Sequence, residues 1–202
     1  IKVPAQNGIG ALAFSFIDPD EAKAWADIYY GIIKSEECVP LGRSVNPNIA
    51  MVSAFSVHED REEAIRRGKD NFEFFRYSQQ KLVAEDFTPG HSDMWGDFMK
   101  ARGDATDRLI EAAKARGEYD SQGIGTPEDM ARHLSAIQAS GVDQVIIMQQ
   151  AGRNSHQNIT EGMTLFAEEV MPQFHADVEE REAKKAKELA PYIEAALARK
   201  PM

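Results

Sequence analysis

Three predominantly apolar runs of strand length divide the chain. They cover Gly10 to Phe16, Ile49 to Val57 and Val145 to Met148. Apolar and polar positions do not alternate within them, which is typical of strands buried on both faces. Each run adjoins a segment with helical periodicity. The pattern therefore predicts an α/β fold in which helices cover both faces of a parallel sheet.

The helical segments carry start and stop signals. The segment DPDEAKAWADIYYGIIK has Asp18 as N-cap and Glu21 to complete a capping box. Thr126 is the expected N-cap of a later helix, which Gly141 ends. The charged segment HEDREEAIRRGKDNFEFFRYSQQ predicts an amphipathic helix, and a further helix is expected from about Ser155 to Phe174.

Two stretches do not fit this repeat. The connection from Lys81 to Gln122 is too long for an ordinary loop and is expected to be functional, mobile or partly helical. The stretch 176–202 predicts a charged helical tail, broken or kinked at Pro191. Three strands would leave unpaired sheet edges, and NGIGALAFSF starts as if a helix preceded it. The sheet is expected to be small and open, or to belong to a longer chain.

Composition narrows the class of partner. The 202 residues include 23 Lys and Arg against 33 Asp and Glu, a formal charge of -10, which disfavours nucleic acid and anionic membranes as partners. One cysteine, Cys38, excludes an internal disulfide, and no apolar run is long enough to span a membrane. A cytoplasmic location is expected.

Recognised catalytic motifs are absent from the sequence. The histidines have no metal-ligand spacing, and there is no phosphate-binding glycine loop or nucleophile elbow. His58, His91 and His156 lie at predicted loops or element ends and stay open candidates, whereas Cys38 is expected to be inert.

Position along the strands is more informative than residue type. Ligands of parallel α/β folds bind at the carboxyl ends of the strands. That rule predicts an uncharged, partly aromatic rim, suited to a flat ring system, with Arg153 and the helix start near Ser155 available for an anion. The predicted rim comprises Phe14 to Phe16, Ser53 to Ser56, and Gln149 to Gly152.

Three segments together resemble the luciferase-like flavin-dependent monooxygenase family, which includes bacterial luciferase. They are AQNGIGALAFSF with DPDEAKAWADIYY, then VNPNIAMVSAFSVHEDREEA, and the closing GTPEDMARHLSAIQASGVDQVIIMQQAGRNSHQNITEGMTLFAEEVMPQF. The closing segment is the most specific. The resemblance implies a (β/α)8 TIM barrel, of which residues 1–202 would hold only the last three strand and helix units.

The resemblance also implies an activity. Members of the family use reduced FMN and O2 to oxidise a small organic substrate through a peroxyflavin, with the FMN supplied by a separate flavin reductase. A homodimer or heterodimer is implied. The insertion 81–122 corresponds to a mobile loop over the active site, where exclusion of water would protect the intermediate.

The residues carried over from the family are few, because the catalytic residues of the family lie mostly in the half that is missing here. The implied cofactor-binding residues are Ala13, Phe14, Ser15 and Phe16, with Phe16 where the family often has Trp. The implied pocket rim comprises Ser53, Ala54, Gln149, Gln150, His91 and Trp95, with Lys100 and Arg102 as further insertion candidates.

Two alternatives stay open. A deazaflavin-dependent oxidoreductase has the same fold, and its distinguishing residues would lie mostly in the missing half. From a different class, the chain would be a non-catalytic fragment or a structural subunit of such an enzyme.

Overall fold

The computed structural model describes residues 1–14, 18–83, 90, 92–116 and 122–200. The strands are β1 (Ala11–Ala13), β2 (Ile49–Ala54), β3 (Ser56–Val57), β4 (Ile124–Gly125) and β5 (Gln144–Met148). The helices are α1 (Lys2–Gln6), α2 (Pro19–Ile33), α3 (Arg61–Val83), α4 (Met94–Arg102), α5 (Ala105–Arg116), α6 (Pro127–Ala139), α7 (His156–Leu165), α8 (Met171–His175) and α9 (Val178–Ala198), and a π-helical turn, Phe166–Val170, separates α7 from α8.

The described chain is therefore a mixed α/β structure, as predicted. Most of its residues are helical. It divides into two compact units. The first contains Ile1–Ser53, Leu134–Ile146 and Pro172–Met202, and the second contains Ala54–His133 and Ile147–Met171. None of the helices in the described residues has both the length and the apolar composition of a membrane span.

The first unit is built on a three-stranded sheet of order β1-β2-β5. Strands β1 and β2 are parallel, with Ala11 beside Ile49 and Ala13 beside Met51. These four residues pack with Tyr29 and its neighbours on α2 in one hydrophobic cluster. The Tyr29 hydroxyl donates to Ile9 O at 2.9 Å, and burial raises its pKa to about 12.

Asp143 fastens the start of β5 to the rest of the first unit. Its carboxylate accepts hydrogen bonds from Ile49 N at 2.7 Å, from Lys185 Nζ at 2.6 Å and from the Tyr30 hydroxyl. Burial, and next this hydrogen bond, raise the pKa of Tyr30. One carboxylate thus joins α2, β2, β5 and α9.

The prediction that both faces of the sheet are covered is wrong in the described first unit. Leu12 and Phe14 are 61% and 63% exposed, and Ile146 of β5 is 44% exposed. Strand β5 ends the strand order, so only one of its sides has a neighbouring strand. An apolar run indicates that a strand is buried, but it does not identify the segment that covers the strand.

The second unit is organised around α3. Strands β3 and β4 pair in parallel, Ser56 beside Ile124, and α3 crosses them at Gly68. A Cβ on Gly68 would lie 3.0 Å from Ile124 Cγ2 and would overlap Ser56, so only glycine allows this approach. Asp129 on α6, with no exposed side-chain surface, accepts a bidentate pair of hydrogen bonds from Arg61 at 2.8 and 3.0 Å.

Several predicted elements have different bounds. The run Ile49 to Val57 is not one strand: its last two residues form β3 and pair with β4, which the sequence pattern did not indicate. Among the described residues of the predicted first strand, Ala11–Ala13 form β1, whereas Ser15 and Phe16 lie outside the described residues. The helix expected to Phe174 contains the π-helical turn, and α9 continues through Pro191 instead of breaking there. The insertion 81–122 contains α4 and α5; its mobility stays a prediction.

Candidate functional site

Two of the predicted cofactor-binding residues, Ala13 and Phe14, are described in the first unit. Ala13 is buried in β1, whereas the Phe14 ring that follows is largely exposed. Ser15 and Phe16 lie outside the described residues. Ser53 and Ala54, predicted for the rim, are buried at the end of β2. The assignments of these six residues stay predictions.

The loop that follows β5, residues 149–155, is the best-defined part of the predicted rim. Gln149 is half-buried, and its Nε2 donates to Ile159 O on α7 at 3.1 Å. Asn154 turns back into the loop, where its Nδ2 donates to Gln149 O at 3.3 Å. Gln150 is exposed. The sequence therefore predicted two neighbouring amides, Gln149 and Gln150, at the carboxyl end of β5. In the structure only the Gln149 side chain is partly buried.

Two buried oxygen atoms in this loop have no hydrogen-bond partner among the described residues. They are Gln149 Oε1 and Asn154 Oδ1. Both side-chain nitrogens donate to carbonyl oxygens, so a flip of either amide would bring two oxygens together, and the orientation is fixed. A buried acceptor without a donor costs about 1–3 kcal/mol. A group that donates N–H or O–H hydrogens to these atoms would recover that energy.

Helix α3 holds this loop from one side. Arg153 N donates to Asn71 Oδ1 at 2.7 Å, and Asn71 Nδ2 donates to Arg67 O within α3 at 2.6 Å. Gly152, with φ of +59°, lies so close to α3 that a Cβ would be 2.9 Å from Asn71 Cα and 3.0 Å from Trp95 Cζ3. Sequence reasoning missed Asn71, because nothing in the local pattern of α3 distinguishes it.

The insertion contacts the same loop through Trp95 on α4. The Arg153 guanidinium lies 5.1 Å from the Trp95 ring centroid, a cation–π distance. Trp95 also packs against Phe74 and Phe98, with centroids 4.9 and 5.7 Å away. The predicted insertion residue Trp95 is therefore half-buried in an aromatic cluster, whereas His91 lies outside the described residues.

Asp70 anchors the insertion to α3. It accepts hydrogen bonds from Arg102 at 2.7 and 2.8 Å and from the Thr106 hydroxyl at 2.6 Å. The hydrogen bond to Asp70 outweighs partial burial and raises the pKa of Arg102. Arg102, a candidate for a moving face, is thus tied to α3, whereas Lys100 is exposed.

Arg153 is also the group predicted to hold an anion. Its guanidinium has no carboxylate partner within the described ranges, and α7 begins beside it with Asn158 N capped by Ser155 Oγ at 3.1 Å. His156, an open candidate from the sequence, is exposed in the first turn of α7. A positive side chain and a helix start together favour a negatively charged ligand group.

A separate cavity of about 400 Å³ lies beyond the end of β3. His58 lines it, and its Nδ1 accepts a hydrogen bond from Asp60 N at 3.0 Å. The other lining residues are Val57, Glu59, Thr160, Glu161, Thr164, Leu165 and Glu168. Three carboxylates repel a phosphate, so this cavity suits a neutral or cationic group.

The sequence did not indicate the α7 wall of this cavity. Thr160, Thr164 and Glu168 follow one another at helical spacing, which is equally typical of a solvated helix face. Hydrogen bonds from Gln157, and next from Arg67, lower the pKa of Glu161. No group of His, Cys, Asp and Glu among the residues that the structure describes could hold a metal ion.

Comparison with protein-family models and with curated proteins gives no match for this chain. Solved structures do match it. The crystal structure of monooxygenase RslO1 from Streptomyces bottropensis is 19% identical, with a TM-score of 0.54 over 86% of this chain and 44% of that chain. The structure of apo-MsnO8 is 15% identical, with a TM-score of 0.51 over 83% of this chain and 46% of that chain.

The coenzyme F420 dependent tetrahydromethanopterin reductase from Methanopyrus kandleri also matches, with 18% identity and a TM-score of 0.49 over 86% of this chain and 47% of that chain. This chain thus spans less than half the length of each of these three solved structures. At 19% identity to RslO1 and 15% identity to MsnO8, what this chain has in common with them is the fold of the matched part.

Proposed function

We propose that the chain is the carboxyl-terminal part of a luciferase-like flavin-dependent monooxygenase, which uses reduced FMN and O2 to oxidise a small organic substrate. The fold shared with the monooxygenase RslO1 over 86% of the chain carries the proposal. The three sequence segments that resemble the luciferase-like family support it independently.

The residues of the 149–155 loop fit the cofactor. Gln149 Oε1 and Asn154 Oδ1 are acceptors, and the pyrimidine part of a flavin ring presents an N–H donor. Arg153 would hold the phosphate of FMN, for which it has a free guanidinium face in the described structure. Reduced flavin supplies the electrons for O2, while the protein binds, orients and shields it.

The rest of the architecture follows from the same proposal. Residues 1–202 would supply the last three strand and helix units of a (β/α)8 barrel, and further strands would cover the apolar side chains of Leu12, Phe14 and Ile146. The insertion 81–122 would act as a lid, and a flavin reductase and a second subunit would be partners.

Titration of the 202-residue chain with riboflavin and FMN, followed by flavin fluorescence, tests the proposal. We expect saturable quenching, with tighter binding of FMN because of Arg153. Gln149→Leu removes one acceptor and should weaken riboflavin binding roughly tenfold, since a lost hydrogen bond to a buried group is worth about 1.4 kcal/mol.

Gln150→Leu is the matched control, because Gln150 is the adjacent exposed amide. It should bind riboflavin like the unaltered chain. No quenching at millimolar flavin, or equal losses in both variants, would contradict the proposal. A 5-deazaflavin titrated in parallel distinguishes a deazaflavin enzyme from one that uses FMN.

A further inference from the structure

Two consecutive residues of α3, Asp70 and Asn71, bind two different segments of the candidate site. Asp70 accepts from Arg102 and Thr106 and so holds the insertion. Asn71, the next residue, accepts from Arg153 N and so holds the loop after β5. Because both lie on one rigid helix, the insertion and the loop are fixed to the same support.

Asn71 can accept from Arg153 in only one amide orientation. Its Nδ2 donates to Arg67 O, four residues earlier, at 2.6 Å. A flipped amide would oppose its oxygen to that carbonyl oxygen and to no donor, so the helix itself directs Oδ1 at the loop. Gly152 then allows the loop to approach, because any Cβ there would overlap Asn71.

The loop conformation fixed in this way determines where the unpartnered acceptors lie. Arg153 N is bound to Asn71, and the next residue, Asn154, folds back to Gln149 O at 3.3 Å. Trp95 covers the outer side through the Arg153 guanidinium. Release of Arg153 N would break a hydrogen bond that ties the backbone of this loop to α3.

We infer that Asn71 is a positioning residue of the site: through Arg153 N it sets the loop that presents Gln149 and Asn154 to the ligand. The inference rests on the proposed function for the identity of that ligand, a flavin ring. Both polar atoms of the Asn71 side chain are engaged within the protein, Oδ1 by Arg153 N and Nδ2 by Arg67 O.

Two variants separate positioning from simple support. Asn71→Asp keeps an oxygen for Arg153 N but loses the donor to Arg67 O, whereas Asn71→Ala loses both contacts. Asn7→Ala is the matched control, because Asn7 Nδ2 also donates to the carbonyl four residues earlier, Val3 O at 2.8 Å, and Asn7 belongs to the first unit, whereas the loop belongs to the second.

Hydrogen exchange of the Arg153 amide, measured by NMR on the 202-residue chain, is the first readout. Exchange should be about fivefold faster in Asn71→Ala and unchanged in Asn71→Asp and Asn7→Ala, in line with the loss of one hydrogen bond. Riboflavin affinity is the second readout, and it should follow the same order, with the urea midpoint lowered in both Asn71 variants.

Equal loss of riboflavin affinity in the two Asn71 variants would overturn the inference, because affinity would then follow stability alone. Unchanged Arg153 exchange in Asn71→Ala would also overturn it. If the unaltered chain does not bind riboflavin, the proposed function fails, and the exchange rates alone decide whether Asn71 positions the loop.

Discussion

Replacement of Asp143 by alanine should destabilise the first unit strongly. The carboxylate is 12% exposed and serves three donors: Ile49 N, Lys185 Nζ and the Tyr30 hydroxyl. The three donors differ in whether another acceptor can replace the carboxylate. Tyr30 can turn to Pro47 O at 3.1 Å, and the Lys185 ammonium can reach water. Ile49 N belongs to a strand residue with no exposed surface, so water cannot reach it to replace the Asp143 carboxylate.

The magnitude follows from this difference. An unsatisfied buried N–H costs about 1–3 kcal/mol, and loss of a partly buried ion pair adds about 1 kcal/mol. We therefore expect Asp143→Ala to lower the free energy of unfolding by about 3 kcal/mol. Asp143→Asn keeps an acceptor for Ile49 N, and its cost should be about half of that value.

Asp27 provides the matched control. It also accepts a hydrogen bond from a lysine, Lys23 at 2.6 Å, but the two side chains are 65% and 60% exposed. Such pairs contribute about 0.3–0.5 kcal/mol. Urea unfolding followed by Trp25 emission, in a Trp95→Phe background, measures all three variants. An Asp143→Ala loss no larger than that of Asp27→Ala would refute the reasoning.

Three further predictions concern stability. Burial raises the pKa of Asp129, but hydrogen bonds from Arg61 and Thr126, together with the charge of Arg61, outweigh burial and lower the pKa. Stability measured by urea unfolding should therefore fall as pH drops from about 4 through that lower pKa, and less steeply in Asp129→Asn. Gly68→Ala should cost about 1–3 kcal/mol, whereas Gly31→Ala, where no atom lies within 4 Å of the new Cβ, should stabilise by up to about 1 kcal/mol. The pKa of Tyr29 is raised to about 12, so its contribution, fully present below about pH 10, should be lost as pH rises through 12, and Tyr29→Phe should reduce that loss.

Local signals predicted the helix starts well. Asp18 accepts from Glu21 N at 2.8 Å, and Thr126 and Asp129 exchange hydrogen bonds at 3.1 and 3.3 Å. A cap depends on residues three apart in the sequence, so one sequence contains all the information that it needs. The same holds for Ser155, which caps α7.

Strand partners could not be predicted in this way. Phe55 separates β2 from β3, and its ring packs edge-on against Phe166 with centroids 5.2 Å apart. The hydrophobicity of the run is continuous across this point, but the pairing partner changes from β1 to β4. Pairing is a long-range property, and a strand as short as Ile124–Gly125 leaves no periodic pattern to detect.

The residues of the candidate site likewise fall into those that local sequence order predicts and those that depend on contacts made in the folded chain. Gln149 was predicted from its position after a strand, because the carboxyl-end rule needs only the order of elements. Asn71 and Asn154 could not be predicted, because the importance of each comes from a single contact. Asn71 accepts a hydrogen bond from Arg153 N, and Asn154 donates one to Gln149 O. Such contacts exist only once α3 and the loop have come together.

The placement of these contacts on α3 has a consequence for the insertion. Arg102 and Arg153 reach adjacent α3 residues, Asp70 and Asn71, and Trp95 stacks on Arg153. A movement of α4 that breaks the Asp70 contact would therefore withdraw Trp95 from the loop but leave the hydrogen bond at Asn71 in place. An insertion that opened in this way would leave the loop folded, so the predicted lid is compatible with a pre-formed set of acceptors.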